Sequence, residues 1–378
     1  MRIALIAYGL DRPLSGISRY TLELTRALAA LPGGHEVLLL AAGSTGVLAE
    51  GNSLRSVPLF GCSRLPGLVT LGNVLIPWKA RRLRVDIVHD PTGVTPFLFG
   101  ADGARTVVTL HDVFAWSCPG HSTAMDTLLY RYWLPRVLSR VDAVITDSQA
   151  SKTDVIRYLK VPHDKTHVIY GGVSASYRPI SVDEIARTAS RYGLAQGYIL
   201  FVGSIEERKN LRRLLQAYAW LRQKGEERPL AIVGPRKWKY AHILQMVEEL
   251  GIGDQVIFTG YVPDEDLPAT YCGADLFVFP SLYEGFGLPP LEAMACGTPV
   301  VCSNTSSLPE VVGDAAITVD PYDVEALADA MHRVLSEAAL REELRAKGLA
   351  RAKMFTWERT AHETMAIYAH VQRTQGAS

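Results

Sequence analysis

Short apolar runs recur along the chain, separated by longer stretches with helical spacing. In the first half the runs are Ile3–Tyr8, Glu36–Leu40, Asp86–His89, Arg105–Leu110, Ala143–Thr146 and His167–Tyr170. In the second half they are Tyr198–Val202, Leu230–Val233, Val256–Thr259, Leu276–Phe279, Pro299–Cys302 and Ala316–Val319. Runs this short that are apolar on both sides predict strands buried on both faces, as in a parallel sheet. Strands alternating with helical patterns predict βα units, so each set predicts a doubly wound α/β domain. At 378 residues the chain is also too long for one typical core. The polar stretch Ser174–Ser181, with Pro179, reads as the linker. The expected architecture is two Rossmann-like domains, residues 1–177 and 178–356, followed by a terminal segment, 357–378.

Chemistry concentrates in Pro280 to Gly297, PSLYEGFGLPPLEAMACG. Glu284 and Glu292 lie eight positions apart, after the run ending at Phe279. Pro289 and Pro290 suit the first turn of a helix, where no amide donor is needed. Gly297 suits the left-handed position beyond its end. Glu284 is therefore expected on a glycine loop and Glu292 about one turn inside the helix. Phe286, Gly287 and Leu288 would leave backbone amides free at a helix N-terminus, which suits an anion. Two carboxylates for diols and an amide cradle for phosphate together fit a nucleotide sugar. A strand–loop–helix turn with two solvated acids is the plainer alternative.

This segment resembles the E-x7-E signature of the retaining family-four glycosyltransferases, which have the GT-B fold. The resemblance runs from Ser15-Gly16-Ile17-Ser18-Arg19-Tyr20 to Phe355-Thr356-Trp357 and is strongest to bacterial polysaccharide mannosyltransferases. It implies two Rossmann-like domains facing each other across a cleft, with a last helix, here Thr356–Gln372, crossing back onto the first. It places the glycine loop around Gly16 against the donor diphosphate. It places His111, in Thr109-Leu-His-Asp-Val113, against the donor sugar, and Tyr261 and Val262 near the nucleotide base. The first domain would bind the acceptor and the second the donor. GDP-mannose is the favoured donor, and a glycan or polyprenyl-diphosphate-linked glycan the acceptor, on resemblance alone. Reaction on one face of the sugar, assisted by the leaving phosphate, is likewise an implication of the resemblance.

Other segments add roles from their residue types. Gly9 to Ser18 lacks the G-x-G-x-x-G fingerprint, and Gly16 precedes a helical pattern from Ser18 to Leu28. A phosphate-facing loop and a flexible surface loop are both open there. Val202-Gly-Ser-Ile-Glu-Glu-Arg208-Lys209-Asn210 reads as strand, loop and helix start. Arg208 and Lys209 are suited to neutralise a diphosphate. Many relatives carry Arg directly after the glycine, where this chain has Ser204, which shifts charge to Arg208 and Lys209 or to Arg236 and Lys237. His89-Asp90 and His111-Asp112 both follow strands. Asp147-Ser148-Gln149 ends another, with Ser148 open to helix capping or to substrate. Asp264-Glu265-Asp266 spells D-x-D but reads as the acidic first turn of a helix over Leu267–Cys272, so no metal is expected. Ser307-Leu-Pro-Glu310 has capping-box spacing.

Net charge is zero, yet residues 1–178 carry 19 Lys and Arg against 13 Asp and Glu, while residues 179–378 carry 20 against 26. No cation lies between Lys239 and Arg333, so phosphate near Glu284 must draw positive charge from elsewhere. The segment Leu65–Arg84 ends in Lys79-Ala-Arg-Arg-Leu-Arg84. It reads either as a core-packed helix with a solvated basic end or as a segment lying on an anionic membrane surface. No 18-residue apolar run or signal-peptide pattern is present, and the five cysteines form no C-x-x-C pair. A reduced, cytoplasmic protein is expected, with peripheral attachment at the inner membrane face left open, and no nucleic-acid partner.

The reading is a retaining, metal-independent hexosyltransferase. Glu284, His111, Arg208 and Lys209 are assigned to catalysis. Gly16, Ser148, Tyr261, Val262, Phe286, Gly287, Leu288 and Glu292 are assigned to substrate binding. The alternatives are another GT-B sugar enzyme, such as a nucleotide-sugar epimerase or a phosphorylase, a non-catalytic partner subunit, or a periplasmic-type sugar-binding protein. Donor turnover separates them.

Overall fold

The computed structural model describes residues 1–10, 16–42, 54–117, 129–195, 197–235 and 240–374. Arg236, Lys237 and Cys118, and part of the loop before Gly16, lie outside the described residues. The chain divides into two compact units, Met1–Gly172 with Thr356–Ser378, and Val173–Phe355.

The first unit is built on a parallel sheet. Its strands are β1 (Arg2–Ile6), β2 (Glu36–Ala41), β3 (Arg55–Pro58), β4 (Ile87–Asp90), β5 (Arg105–Leu110), β6 (Ala143–Thr146) and β7 (Thr166–Val168). Their spatial order is β3-β2-β1-β4-β5-β6-β7. Successive residues point to opposite faces, and both faces are buried. Ala4, Ile6, Leu38, Leu40, Val88 and Val108 feed one core. Ile3, Leu5, Val37, Leu39, Ile87 and Val107 feed the other. That two-sided burial is why β1, β2 and β4 to β6 read as apolar runs. β3 has no apolar run to mark it because it is an edge strand, Arg-Ser-Val-Pro, with only Val57 buried. An edge tolerates Pro58 because one side of its ladder needs no donor. β7 sits slightly upstream of the expected His167–Tyr170.

The terminal helix, Trp357–Arg373, belongs to this first unit. Thr356 caps it by accepting from the Arg359 amide. Trp357, Ala361, Tyr368 and Val371 enter the second core beside the helix Gly16–Ala30.

The second unit has strands β8 (Tyr198–Val202), β9 (Leu230–Val233), β10 (Val256–Gly260), β11 (Ala274–Phe279), β12 (Val300–Ser303) and β13 (Ile317–Val319). The order is β10-β9-β8-β11-β12-β13, with every pairing parallel. The chain moves outward from β8 through β10, then returns to the other side of β8 at β11. Such a reversal opens a crevice at the carboxyl ends of the two central strands. The loops leaving β8 and β11 carry Arg208, Lys209 and Glu284. Gly234, at the end of β9, allows close approach to the loop after β8: a Cβ there would lie 2.0 Å from the Gly203 carbonyl oxygen.

Two helix starts differ from what their sequences predict. Asp266 occupies the cap position of the helix Leu267–Cys272, but its side chain makes no cap bond and no acid lies in the first turn. Its carboxylate instead accepts from Arg191 at 2.6 Å and from the Tyr192 hydroxyl at 2.5 Å. An ion pair with a preceding helix outcompetes the local amide. Ser307 likewise makes no cap bond for Leu308–Val312. Its hydroxyl lies 2.9 Å from the Glu284 carbonyl and 2.5 Å from the Phe286 carbonyl, so it braces the glycine loop.

Candidate functional site

In the second unit, the helix Leu288–Ala295 starts at the two prolines, with Gly287 as its cap residue at φ 117°. That backbone value is left-handed, where a Cβ is disfavoured. Gly297 follows the helix at φ 78°. Phe286 is buried and Leu288 half-buried. The loop before the helix turns Glu284 toward the loop after β8.

Glu284 is only 8% exposed. One carboxylate oxygen accepts from Lys209 at 2.6 Å and from the Ser281 hydroxyl at 2.5 Å, and the other from Arg208 at 2.9 Å. Burial favours its neutral form, but the charges of Arg208 and Lys209, with the bonds from Lys209 and Ser281, prevail and hold it at about 2. Glu284 is therefore an anion at any physiological pH. It can accept hydroxyl protons in hydrogen bonds or face a growing positive charge, but it is no general acid. Arg208 also bonds Glu206 at 3.0 Å and the Tyr283 carbonyl at 2.8 Å. Burial pulls the Lys209 ammonium below its ordinary value despite the pair with Glu284. Its charge also sits 4.8 Å over the Phe279 ring.

Asn210 locks this cluster. It is buried, at φ 58°. Its amide nitrogen donates to the Pro280 carbonyl at 2.9 Å and the Pro321 carbonyl at 2.7 Å, while its oxygen accepts from Arg213. The Leu282 amide in turn donates to the Arg208 carbonyl at 2.9 Å. Loops 75 residues apart in sequence are thereby joined, which a linear reading could not reveal. Glu292, buried inside its helix, accepts from the Tyr271 hydroxyl at 2.9 Å. Tyr261 is exposed and Val262 buried just beyond β10. No group of acids, histidines and cysteines fit to hold a metal occurs among the described residues.

In the first unit, His111 follows β5. Its Nδ1 lies 2.5 Å from an Asp147 carboxylate oxygen and its Nε2 2.9 Å from the Pro91 carbonyl. Both partners are acceptors, so both ring nitrogens donate and the ring is an imidazolium. Burial opposes the charge, but Asp147 and the Pro91 carbonyl outweigh it and raise the ring to about 9. Asp147, 4% exposed, leaves its other oxygen without a hydrogen-bond partner among the described residues. Tyr20 meets the imidazole edge-on at 4.8 Å between centroids. Ser148 caps the helix Gln149–Leu159 by accepting from the Ser151 amide at 3.0 Å. Gly16 begins its helix exposed, with nothing among the described residues within 4 Å of where a Cβ would stand. His89 is buried between the Tyr368 hydroxyl at 2.6 Å and Thr109 at 2.9 Å. Burial, with the charge of His111, lowers it to about 3, so it stays neutral and structural. The role of Asp147 is not legible in the sequence. Its position one residue before a helix cap gave no sign that it faces His111 across two strand ends.

Residues 14–177 match the family model described as Glycosyltransferase Family 4, and residues 184–351 match Glycosyl transferases group 1. The chain is 37% identical to the O-antigen chain mannosyltransferase B of Escherichia coli, over 97% of this chain and 99% of that protein. It is 28% identical to the MMP alpha-(1->4)-mannosyltransferase of Mycolicibacterium hassiacum, over 97% and 98% of the two chains. Among solved structures, Anabaena HepE in complex with UDP and glucose matches with a TM-score of 0.80 at 20% identity, over 98% of this chain and 100% of that one.

Proposed function

The chain belongs to the family-four glycosyltransferases, hexose-transferring enzymes of GT-B fold, and on that basis we propose that it moves mannose from GDP-mannose to a growing polysaccharide with retention of configuration. The names of its relatives support the sugar. The observation that carries the chemistry is the buried Glu284 carboxylate, clamped by Arg208 and Lys209 at the reversal between β8 and β11, where their charges favour its ionised form.

Transfer breaks the bond between the anomeric carbon and the diphosphate oxygen. Negative charge grows on the leaving phosphate and positive charge on the sugar ring. Fixed charges that need no reorganisation lower such a barrier most. Arg208, Lys209 and the amides of Phe286 to Leu288 take the diphosphate. Glu284 accepts from sugar hydroxyls and faces the cationic ring. The acceptor hydroxyl attacks the face that the diphosphate leaves, and its proton passes to the departing phosphate oxygen. Glu292 and the Tyr261–Val262 segment hold the nucleoside. His111 contributes a fixed positive charge and is not a base, because both its ring protons are already committed. With these cations present no metal is required. The acceptor is a glycan, free or carried on a polyprenyl diphosphate, and the protein works at the cytoplasmic face.

A panel of nucleotide sugars ranked by thermal shift, followed by transfer to mannose-terminated oligosaccharides, tests the reading. GDP-mannose should stabilise most and should be consumed only with acceptor in proportion to product. Stabilisation by UDP-sugars alone would replace the donor, and epimerised sugar without transfer would replace the reaction.

A further inference from the structure

The helix Gly72–Leu83 in the first unit settles one question left open by its sequence and raises another. Its core-facing side is complete: Gly72, Asn73, Ile76 and Ala80 are buried. Asn73 is fixed there by bonds to the Val69 carbonyl and the Leu98 amide, both 2.6 Å. The opposite side nevertheless remains apolar. Val74 is 62% exposed and Trp78 49%, four residues apart and so on one stripe. Leu71 extends the stripe, and Phe99, from the loop after β4, stands beside it 66% exposed. Val74, Trp78 and Phe99 frame an open depression of about 690 Å³.

Cations line the same face. Arg81 and Arg82 border the depression with Trp78. Lys79 and Arg82 each hold their charge over the Trp78 ring, at 5.6 and 5.4 Å. Among the described residues the one acid at the rim, Asp102, meets Arg81 at 3.4 Å across an exposed pair that contributes little. Protruding aliphatic and aromatic side chains ringed by Lys and Arg match the interfacial layer of a bilayer, with its apolar depth below and phosphates above. A symmetric contact between two copies would instead bring these clustered cations together.

We propose that this face seats the protein on an anionic bilayer, with Val74, Trp78 and Phe99 entering the interface and Lys79, Arg81 and Arg82 meeting lipid phosphates. Attachment of this kind is reversible and falls with salt. None of these residues belongs to the transferase site, so the inference stands or falls separately from that reading.

The test is sedimentation of the full chain with phosphatidylcholine vesicles, with and without phosphatidylglycerol. Wild type should bind only the anionic vesicles, at low salt. The variant Lys79→Gln/Arg81→Gln/Arg82→Gln should lose roughly a hundredfold in partitioning, the product of three phosphate-facing charges. The variant Val74→Ser/Trp78→Ser/Phe99→Ser should also detach. Brominated lipid should quench wild-type tryptophan fluorescence, and Trp78→Phe should abolish that quenching. Thermal melts and nucleoside-diphosphate release should match wild type in every variant. Vesicle binding unchanged by either triple variant would overturn the proposal. So would a wild-type dimer that ignores vesicles and dissociates in the apolar variant.

Discussion

Glu284 and Lys209 share one buried bond, and its structural and chemical roles can be separated. Removing one partner strands the other charge, which costs about 3–5 kcal/mol for a buried pair. Glu284→Gln should therefore lower both the melting temperature and turnover, turnover by orders of magnitude. Glu284→Gln/Lys209→Met removes both charges and should recover most of the stability while leaving turnover lost. Restored turnover in that double variant, followed by a stopped transfer assay, would remove Glu284 from the chemistry. pH reports the same groups. Glu284 has its folded value lowered to about 2, so its contribution to stability is full above its ordinary value of 4.5 and fades as pH falls toward 2. His111 is raised to about 9 from 6.5, so its contribution is full below 6.5 and is lost as pH rises through 9. If the imidazolium supports transfer, turnover should decline above about pH 9. Asp147→Asn removes the main charge that raises the ring, and should move that alkaline limb down. An alkaline limb unmoved by Asp147→Asn would detach His111 from catalysis.

Elements show where sequence suffices and where it fails. β5, β6, β8 and β9 were legible to the residue because burial on both faces leaves each a short run of mostly apolar side chains, with buried threonines as the polar members inside β5 and β6. The helix at Pro289-Pro290 was legible because proline and glycine encode its ends. β3 was hidden by its exposure, and the roles of Asp266 and Ser307 by partners distant in sequence. The clamp of Arg208 and Lys209 on Glu284 depends on β8 and β11 being neighbours, and strand order is not written in the local pattern. Nor could helical periodicity say which side of Gly72–Leu83 would meet the core. The terminal helix gives an element-scale prediction. Tyr368→Phe leaves a buried His89 nitrogen without its partner and should cost about 1–3 kcal/mol in denaturant unfolding. His89 is lowered to about 3, so its stabilising contribution is full above 6.5 and fades as pH falls toward 3. The deficit of Tyr368→Phe should accordingly be measured near neutral pH. A deficit below a few tenths of a kcal/mol would mean that the bond does not tie this helix to its sheet.

At the scale of the whole molecule, the uneven charge acquires meaning from the two units. The half with excess cations carries the exposed basic face, and the acidic half carries the Glu284 cluster, where the cations are few and already paired. No helix among the described residues is long and apolar enough to cross a membrane. A metal-free mechanism predicts that transfer persists in excess chelator. Activity abolished by chelation and restored by manganese would return the acids at Asp264 and Asp266 to consideration. The most direct measurement is transfer from GDP-α-mannose to a mannose-terminated glycan in the presence of chelator, with the new linkage read by the one-bond carbon–proton coupling at the anomeric carbon. The account predicts an α-linked product from wild type and none from Glu284→Gln. A β-linked product, or full transfer by Glu284→Gln, would contradict it.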